Sequence, residues 1–195
     1  MKAAFFDLDR TLVRVNTAPL YVRWRIRQGQ LRWLDMARVT WWGMRYSLGL
    51  LDAVRASERA VSTLRGVEER SFRDECARWV KRDVLPLVTD RARREVERRR
   101  EQGHQLAVLT TTTPYIAEPI AEALNIEHVL CSRMEVEAGR FTGRLASPLC
   151  FGPAKVHRAR AWCEQHRVDL AASVFYTDSV SDLPMLEAVA EPRVI

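Results

Sequence analysis

Two rhythms of apolar residues alternate along the chain. Short unbroken apolar runs appear at residues 3–6, 105–109, 128–131 and 173–177, and the last residues before Ile195 begin another. Runs of this length, bounded by turn residues, read as strands buried on both faces. Between them, apolar positions recur every three or four residues over 19–27, 31–46, 51–64, 68–84, 89–102 and 115–124, with Gly29, Gly43, Gly49, Gly66 and Gly103 near the breaks. That is the helical rhythm and its punctuation. Residues 135–145 alternate and turn at Glu137-Ala138-Gly139-Arg140, which reads as a hairpin. Strands separated by helices predict a doubly wound, Rossmann-like α/β core with a parallel sheet, and the first two strands are parted by a small all-helical module.

The strands end in chemistry. Lys2-Ala3-Ala4-Phe5-Phe6 breaks into Asp7-Leu8-Asp9-Arg10-Thr11, so both acids fall at the carboxyl end of a buried strand, where open α/β sheets bind ligands. Two like charges so close repel and lose hydration, which a hard divalent cation with oxygen ligands, Mg²⁺, would offset. Taken alone, the same residues would serve as a helix start with Asp9 as N-cap and Asp7 solvated. The second strand runs into Thr110-Thr111-Thr112-Thr113-Pro114, hydroxyls and N–H groups at a helix N-terminus and thus an anion site by geometry, although a single capping threonine would also account for it. Lys155 follows Gly152-Pro153 at the start of another helix, where the dipole disfavours a cation unless an anion is near. The strand at 173–177 ends in Asp178-Ser179-Val180-Ser181-Asp182, a second pair of carboxylates.

Composition narrows the class. A chain of 195 residues with 47% hydrophobic content holds one domain, or one with an insertion. Cys76, Cys131, Cys150 and Cys163 show no C-x-x-C spacing, which argues against a zinc site and offers no disulfide framework. Only four apolar residues separate Lys2 from Asp7, too few for a signal peptide, so the expected address is cytoplasmic. The net charge of +6 comes from arginine, since Lys2, Lys81 and Lys155 are the only lysines, and it favours anionic ligands without naming one. The helical module interleaves Trp24, Trp33, Trp41, Trp42 and Trp79 with arginines; Asp35, Arg38 and Arg45 interrupt every spanning window. A membrane-surface patch is the lesser reading beside an aromatic core with arginines at its rim. In 89–102 arginines mix with Asp90, Glu95, Glu97 and Glu101, the pattern of a solvated, paired face rather than a nucleic-acid surface.

In order, Asp7-Leu8-Asp9-Arg10-Thr11, Thr110 after a strand, Lys155 and Asp178-Ser179-Val180-Ser181-Asp182 resemble the four motifs of the haloacid dehalogenase superfamily. Glu137-Ala138-Gly139-Arg140-Phe141-Thr142-Gly143 and Tyr176-Thr177-Asp178-Ser179 are similar to its subfamily IB branch, which contains phosphoserine phosphatases. The resemblance implies a catalytic core at 1–13 and 85–195 and a C1-type helical cap at 14–84. It implies Asp7 as nucleophile, Asp9 as general acid and base, and Thr110, Thr111 and Lys155 as phosphate-binding residues. Mg²⁺ would be held by Asp7, the main-chain carbonyl of Asp9 and Asp178, with Asp182 acting through water. The family glutamate that receives a substrate ammonium is matched by Asn16, and the arginine that grips the serine carboxylate by Ala60, with Arg59 and Arg65 near. The final helix of that branch has no counterpart in the sequence, which stops at Ile195. The expected activity is therefore Mg²⁺-dependent hydrolysis of a small phosphorylated metabolite through an aspartyl-phosphate, with phosphoserine disfavoured as substrate. The competing classes are a lipid-phosphate phosphatase at a membrane surface and a non-catalytic basic binding module; the oligomeric state is not legible.

Overall fold

The computed structural model describes residues 1–29 and 53–195. The helix expected at 31–46, the first residues of the one expected at 51–64, and Trp33, Trp41 and Trp42 lie outside the described residues. Five strands form one parallel sheet in the order β3-β2-β1-β6-β7: β1 (Ala3–Phe6), β2 (Gln105–Leu109), β3 (His128–Leu130), β6 (Val174–Thr177) and β7 (Glu191–Val194). The chain winds outward from β1 in one direction and resumes on its other side at β6. The switch point therefore lies between β1 and β6, the place where such sheets open a crevice at their carboxyl ends.

Alternation along β1 explains its unbroken apolar run. Ala4, Phe6 and Leu8 face one buried cluster, and Ala3 and Phe5 face another. The first cluster is completed by α4 (Asp90–Glu101) and α5 (Pro114–Ala123), through Ala92, Val96, Ile116 and Ile120. The second is completed by α6 (Pro153–His166) and α7 (Leu183–Leu186), through Ala159, Trp162, Cys163 and Met185. This is the doubly wound arrangement, with helices covering both faces. All four cysteines are buried and unbridged.

Between β1 and β2 the described chain is helical: α1 (Thr17–Arg27), α2 (Ala53–Ser62) and α3 (Glu69–Trp79), the last running into a π-helical turn at Val80–Val84. Trp24 and Trp79 stack with ring centroids 5.4 Å apart and join the same buried cluster as Leu8 and Val13, while the Arg25 guanidinium lies 5.8 Å from the Trp24 ring. These two tryptophans thus form core with arginine at the rim. No helix among the described residues is long and apolar enough to cross a membrane.

The hairpin, β4 (Met134–Glu137) and β5 (Arg140–Leu145), is a separate two-stranded sheet that closes against the helical segment. Main-chain bonds run from Gly66 to Phe141, from Phe141 to Val67 and from Glu69 to Gly139 at 2.8–3.0 Å. Phe72, Tyr115 and Phe141 meet edge-to-face beneath them, with centroids 5.2–5.4 Å apart. Gly143 is required twice over: its φ is +82°, and a Cβ there would meet Arg65 Cβ at 3.1 Å.

The basic helix α4 is not wholly a solvated face. Arg98 pairs with Glu95 and Arg100 with Glu97 at its surface, but Arg99 is buried. Its guanidinium donates to the Tyr176 hydroxyl at 2.6 Å and to Glu191 at 2.8 Å, tying α4 to β6 and β7. Hydrogen bonds from Arg99 and then Arg193 hold the Glu191 carboxyl down to about 2. Arg99→Met should therefore cost about 2 kcal/mol of unfolding free energy at neutral pH, since Glu191 is partly solvated and loses a charge-assisted bond rather than a sealed ion pair. A depressed carboxyl stabilises above its unfolded value, near 4.5, and that contribution fades as pH falls toward 2. The gap between parent and variant in urea midpoint should accordingly be full at pH 7 and narrow steadily below pH 4.5.

Candidate active site

Asp7 follows β1, its N–H donating to the Tyr176 carbonyl at 2.8 Å, and Leu8 turns into the core. The Leu8 carbonyl then accepts from the N–H groups of Thr11, Leu12 and Val13 at 3.0–3.3 Å, folding the chain back within one turn. Asp178 and the loop to Asp182 follow β6, the adjacent strand. Lys155 enters from α6. The sharp entry to that helix is made at Gly152, with φ +52° and ψ −127°, a conformation that disfavours a side chain.

These elements converge on one buried ion cluster. Lys155 Nζ donates to Asp7 Oδ1 at 3.0 Å and to Asp182 Oδ2 at 2.7 Å, and all three residues are buried. The Thr177 hydroxyl adds a second donor to Asp182 Oδ2 at 2.7 Å. Burial pushes the Asp7 carboxyl up to about 7; Lys155 opposes this, while Asp182 and Asp9 reinforce it. Burial would lower Lys155, but the attraction of Asp7 and Asp182 outweighs it and the ammonium is held well above its ordinary range.

Asp9 lies on the other side of the turn. Its Oδ1 accepts from the Thr17 N–H at 2.7 Å and its Oδ2 from the Thr112 hydroxyl at 3.3 Å. Burial raises its carboxyl, against the N–H and hydroxyl of Thr17 and the hydroxyl of Thr112. Asp9 thus helps to cap a helix, as the alternative reading of the motif allowed, but the helix is α1, eight residues on. Asp178 is half-buried, raised by burial, and faces Arg10 at 3.8 Å.

The threonine run divides its labour. The Thr110 hydroxyl accepts from the Thr112 N–H at 3.2 Å, leaving its own proton to donate; the Thr111 hydroxyl donates to the Cys150 carbonyl at 2.8 Å and pins the loop before Lys155. What Thr111 can offer an anion is its main-chain N–H. No threonine side chain caps α5, whose N-cap is Thr113. Asn16 is exposed and caps α1, accepting from the Ala18 N–H at 2.9 Å. Sequence reasoning passed over Thr17, Thr112 and Thr177 as individual partners of the acids. Thr112 and Thr177 sit in or beside motifs already singled out, so adjacency was a usable signal; the Thr17 N–H left none.

Among the described residues no three histidine, cysteine or acidic side chains form a ready cage for a metal. The oxygens available at the ends of β1 and β6 are the Asp7 and Asp178 carboxylates and the main-chain carbonyl of Asp9. Mg²⁺ is ordinarily held in this way, by one or two carboxylates with water completing the shell. Asp182 Oδ1 supports the fit: it is a buried acceptor without a hydrogen-bond partner, the kind of atom that a water held by a cation would satisfy.

A family model described as haloacid dehalogenase-like hydrolase matches residues 4–187, and the chain belongs to that family. It is 28% identical over 196 residues to a probable phosphatase of Mycobacterium tuberculosis, spanning 99% of this chain and 68% of that protein. A histidinol-phosphatase of Neisseria meningitidis is 23% identical over 194 residues, spanning 97% and 87%. Among solved structures, a protein of unknown function from Bordetella pertussis Tohama I superposes with TM-score 0.83 at 32% identity, covering 98% of this chain and 88% of that one. A phosphoserine phosphatase captured as a phospho-aspartyl intermediate analogue superposes with TM-score 0.73 at 19% identity, covering 98% and 84%, a likeness of fold. The chain is thus a hydrolase of a family that includes phosphatases.

The ion cluster makes a prediction of its own. Lys155→Met leaves Asp7 and Asp182 facing each other without their shared cation, which should cost about 3 kcal/mol in metal-free protein. Adding Asp182→Asn should recover part of that loss, a coupling that a double-mutant cycle in urea would read. Strictly additive losses would show that the three groups act independently.

Proposed function

We propose that this chain is a Mg²⁺-dependent phosphomonoesterase acting on a small phosphorylated metabolite through an aspartyl-phosphate, with residues 14–84 as a cap over the site. The observation that carries the reading is the buried Asp7–Lys155–Asp182 cluster at the switch point, with Asp9 on the same turn. In the first step an Asp7 oxygen bonds to phosphorus as the bond to the leaving oxygen breaks, and Asp9 gives that oxygen its proton. In the second, Asp9 takes a proton from water, the water oxygen bonds to phosphorus, and the bond to Asp7 breaks, releasing inorganic phosphate. A carboxyl raised by burial suits Asp9 to both halves, because burial eases the holding of a proton that an ordinary carboxylate would shed. Lys155, the Thr110 hydroxyl and the Thr111 N–H would neutralise the phosphoryl oxygens as charge builds on them. Asp7, the carbonyl of Asp9 and Asp178 would hold Mg²⁺, with Asp182 acting through water. When bound there, the cation would supply positive charge that favours the ionised form of Asp7 and offsets the charge of a phosphoryl group.

Asp7→Asn should abolish turnover, by about a thousandfold or more in kcat. Its melting temperature should stay the same or rise, because the variant removes a carboxylate that burial disfavours. Chelator should stop the parent enzyme and excess Mg²⁺ restore it, with a phosphoryl adduct on Asp7 visible by mass spectrometry after rapid acid quench. Activity that survives both chelation and Asp7→Asn would exclude this chemistry.

Substrate choice turns on Asn16, a neutral helix cap where the related phosphoserine phosphatases are expected to carry a carboxylate for the substrate ammonium. A neutral partner gives up about half the strength of a charge-assisted bond. Phosphoserine should therefore rank low in kcat/KM among phosphorylated metabolites and gain in Asn16→Glu. If phosphoserine already leads in the parent protein, Asn16 does not set the choice.

A further inference from the structure

Arg10 occupies a costly position. Its φ is +55°, in the left-handed region, where a side chain costs about 1 kcal/mol and glycine would sit without strain. Its N–H donates to the Val15 carbonyl at 3.2 Å, so the conformation belongs to the fold of the turn. The side chain nevertheless stays 63% exposed and reaches across from the end of β1 to Asp178 at the end of β6, at 3.8 Å. That distance is an ion pair without a hydrogen bond. A guanidinium that is mostly exposed, and next in sequence to Asp9, has hydrogen-bonding capacity that its 3.8 Å contact with Asp178 does not use. Strain kept at such a place points to use.

We propose that Arg10 is a specificity residue whose guanidinium receives a second anionic group of the substrate, a carboxylate or a second phosphate on the leaving-group side of the ester. The inference rests on the phosphomonoesterase reading of the same site. The planar fork of arginine matches the paired oxygens of either anion. The balance of charge favours it too. Once a divalent cation shares Asp178, the guanidinium stands beside positive charge with its counter-ion engaged, an arrangement that an incoming anion relieves. Because Asn16 offers no charge for an ammonium, the favoured ligand is an anion-bearing phosphomonoester without an α-amino group.

The test compares matched pairs in the presence of Mg²⁺. Phosphoglycolate and ethylene glycol bisphosphate each carry a second anion; ethyl phosphate of similar size carries none. The parent should favour the anion-bearing esters about tenfold in kcat/KM, Arg10→Gln should shrink that preference to about twofold, and Arg10→Lys should keep part of it. Which of the two anion-bearing esters loses more in Arg10→Gln tells carboxylate from phosphate. A parent without the preference, or an Arg10→Gln variant that weakens all three esters alike, overturns the assignment. Calorimetric dissociation constants for phosphonoacetate and methylphosphonate give a second reading without turnover. If no ester is hydrolysed but phosphonoacetate binds about tenfold tighter and Arg10→Gln removes the difference, the hydrolytic reading fails and Arg10 stands; equal binding of the two phosphonates to the parent overturns Arg10 as well.

Discussion

The site depends on one buried ammonium. Two neighbouring parallel strands, β1 and β6, end in acids because the crevice beyond their carboxyl ends is where a ligand can be gripped by several elements at once. The cost is carboxylates held close together out of water, and Lys155 answers it by touching two of them. An ammonium in the first turn of a helix opposes the helix dipole by up to about 1 kcal/mol. Contact with two carboxylates in a buried setting is several times larger, so the unfavourable placement persists. The compensation is also incomplete: one positive charge faces Asp7 and Asp182, with Asp9 and Asp178 close by. That excess of carboxylates over the one buried ammonium is the feature on which the proposed cation site rests.

The same constraint reaches into the framework. Lys155 is delivered by a turn at Gly152 that a side chain would strain, and the loop ahead of that turn is fastened by the Thr111 hydroxyl on the Cys150 carbonyl. A threonine hydroxyl at the end of β2 is thereby spent on holding the element that carries the lysine. Thr177, the last residue of β6, similarly turns its hydroxyl onto Asp182. The strand ends and the loops after them supply the acids, and the Thr177 and Thr112 hydroxyls, five and 103 residues away in sequence, fix the orientation of Asp182 and Asp9.

How much of this was legible follows from the range of the interactions. Strands and their acidic ends were readable because burial on both faces demands unbroken apolar runs, and because the acids recur at the ends of two such runs, where capping alone would account for either one. Lys155 could be marked as out of place on the helix dipole alone. Arg99 could not: its charge pattern is that of its solvated neighbours, and only the distant Tyr176 and Glu191 make it interior. The docking of the hairpin on the helical segment was hidden for the same reason, since alternation reports a face but not what covers it. Asn16 was noticed for its missing charge, whereas the structure shows it occupied as a cap, a role that any short polar side chain fills.

Asp9 joins the helical segment to the chemistry through hydrogen bonds with different capacities. Its Oδ1 faces a main-chain N–H at the first residue of α1, a group that donates and never accepts. Its Oδ2 faces the Thr112 hydroxyl, which donates to a carboxylate and turns to accept from a carboxylic acid. The Thr17 hydroxyl bonds to the same carboxyl, so the start of α1 supplies one fixed donor and one partner that can reverse. The start of α1 fixes the orientation of the carboxyl through the Thr17 N–H. A displacement of α1 from the turn after β1 would break the 2.7 Å bond from Thr17, which makes the orientation of the Asp9 carboxyl and the seating of the helix one event.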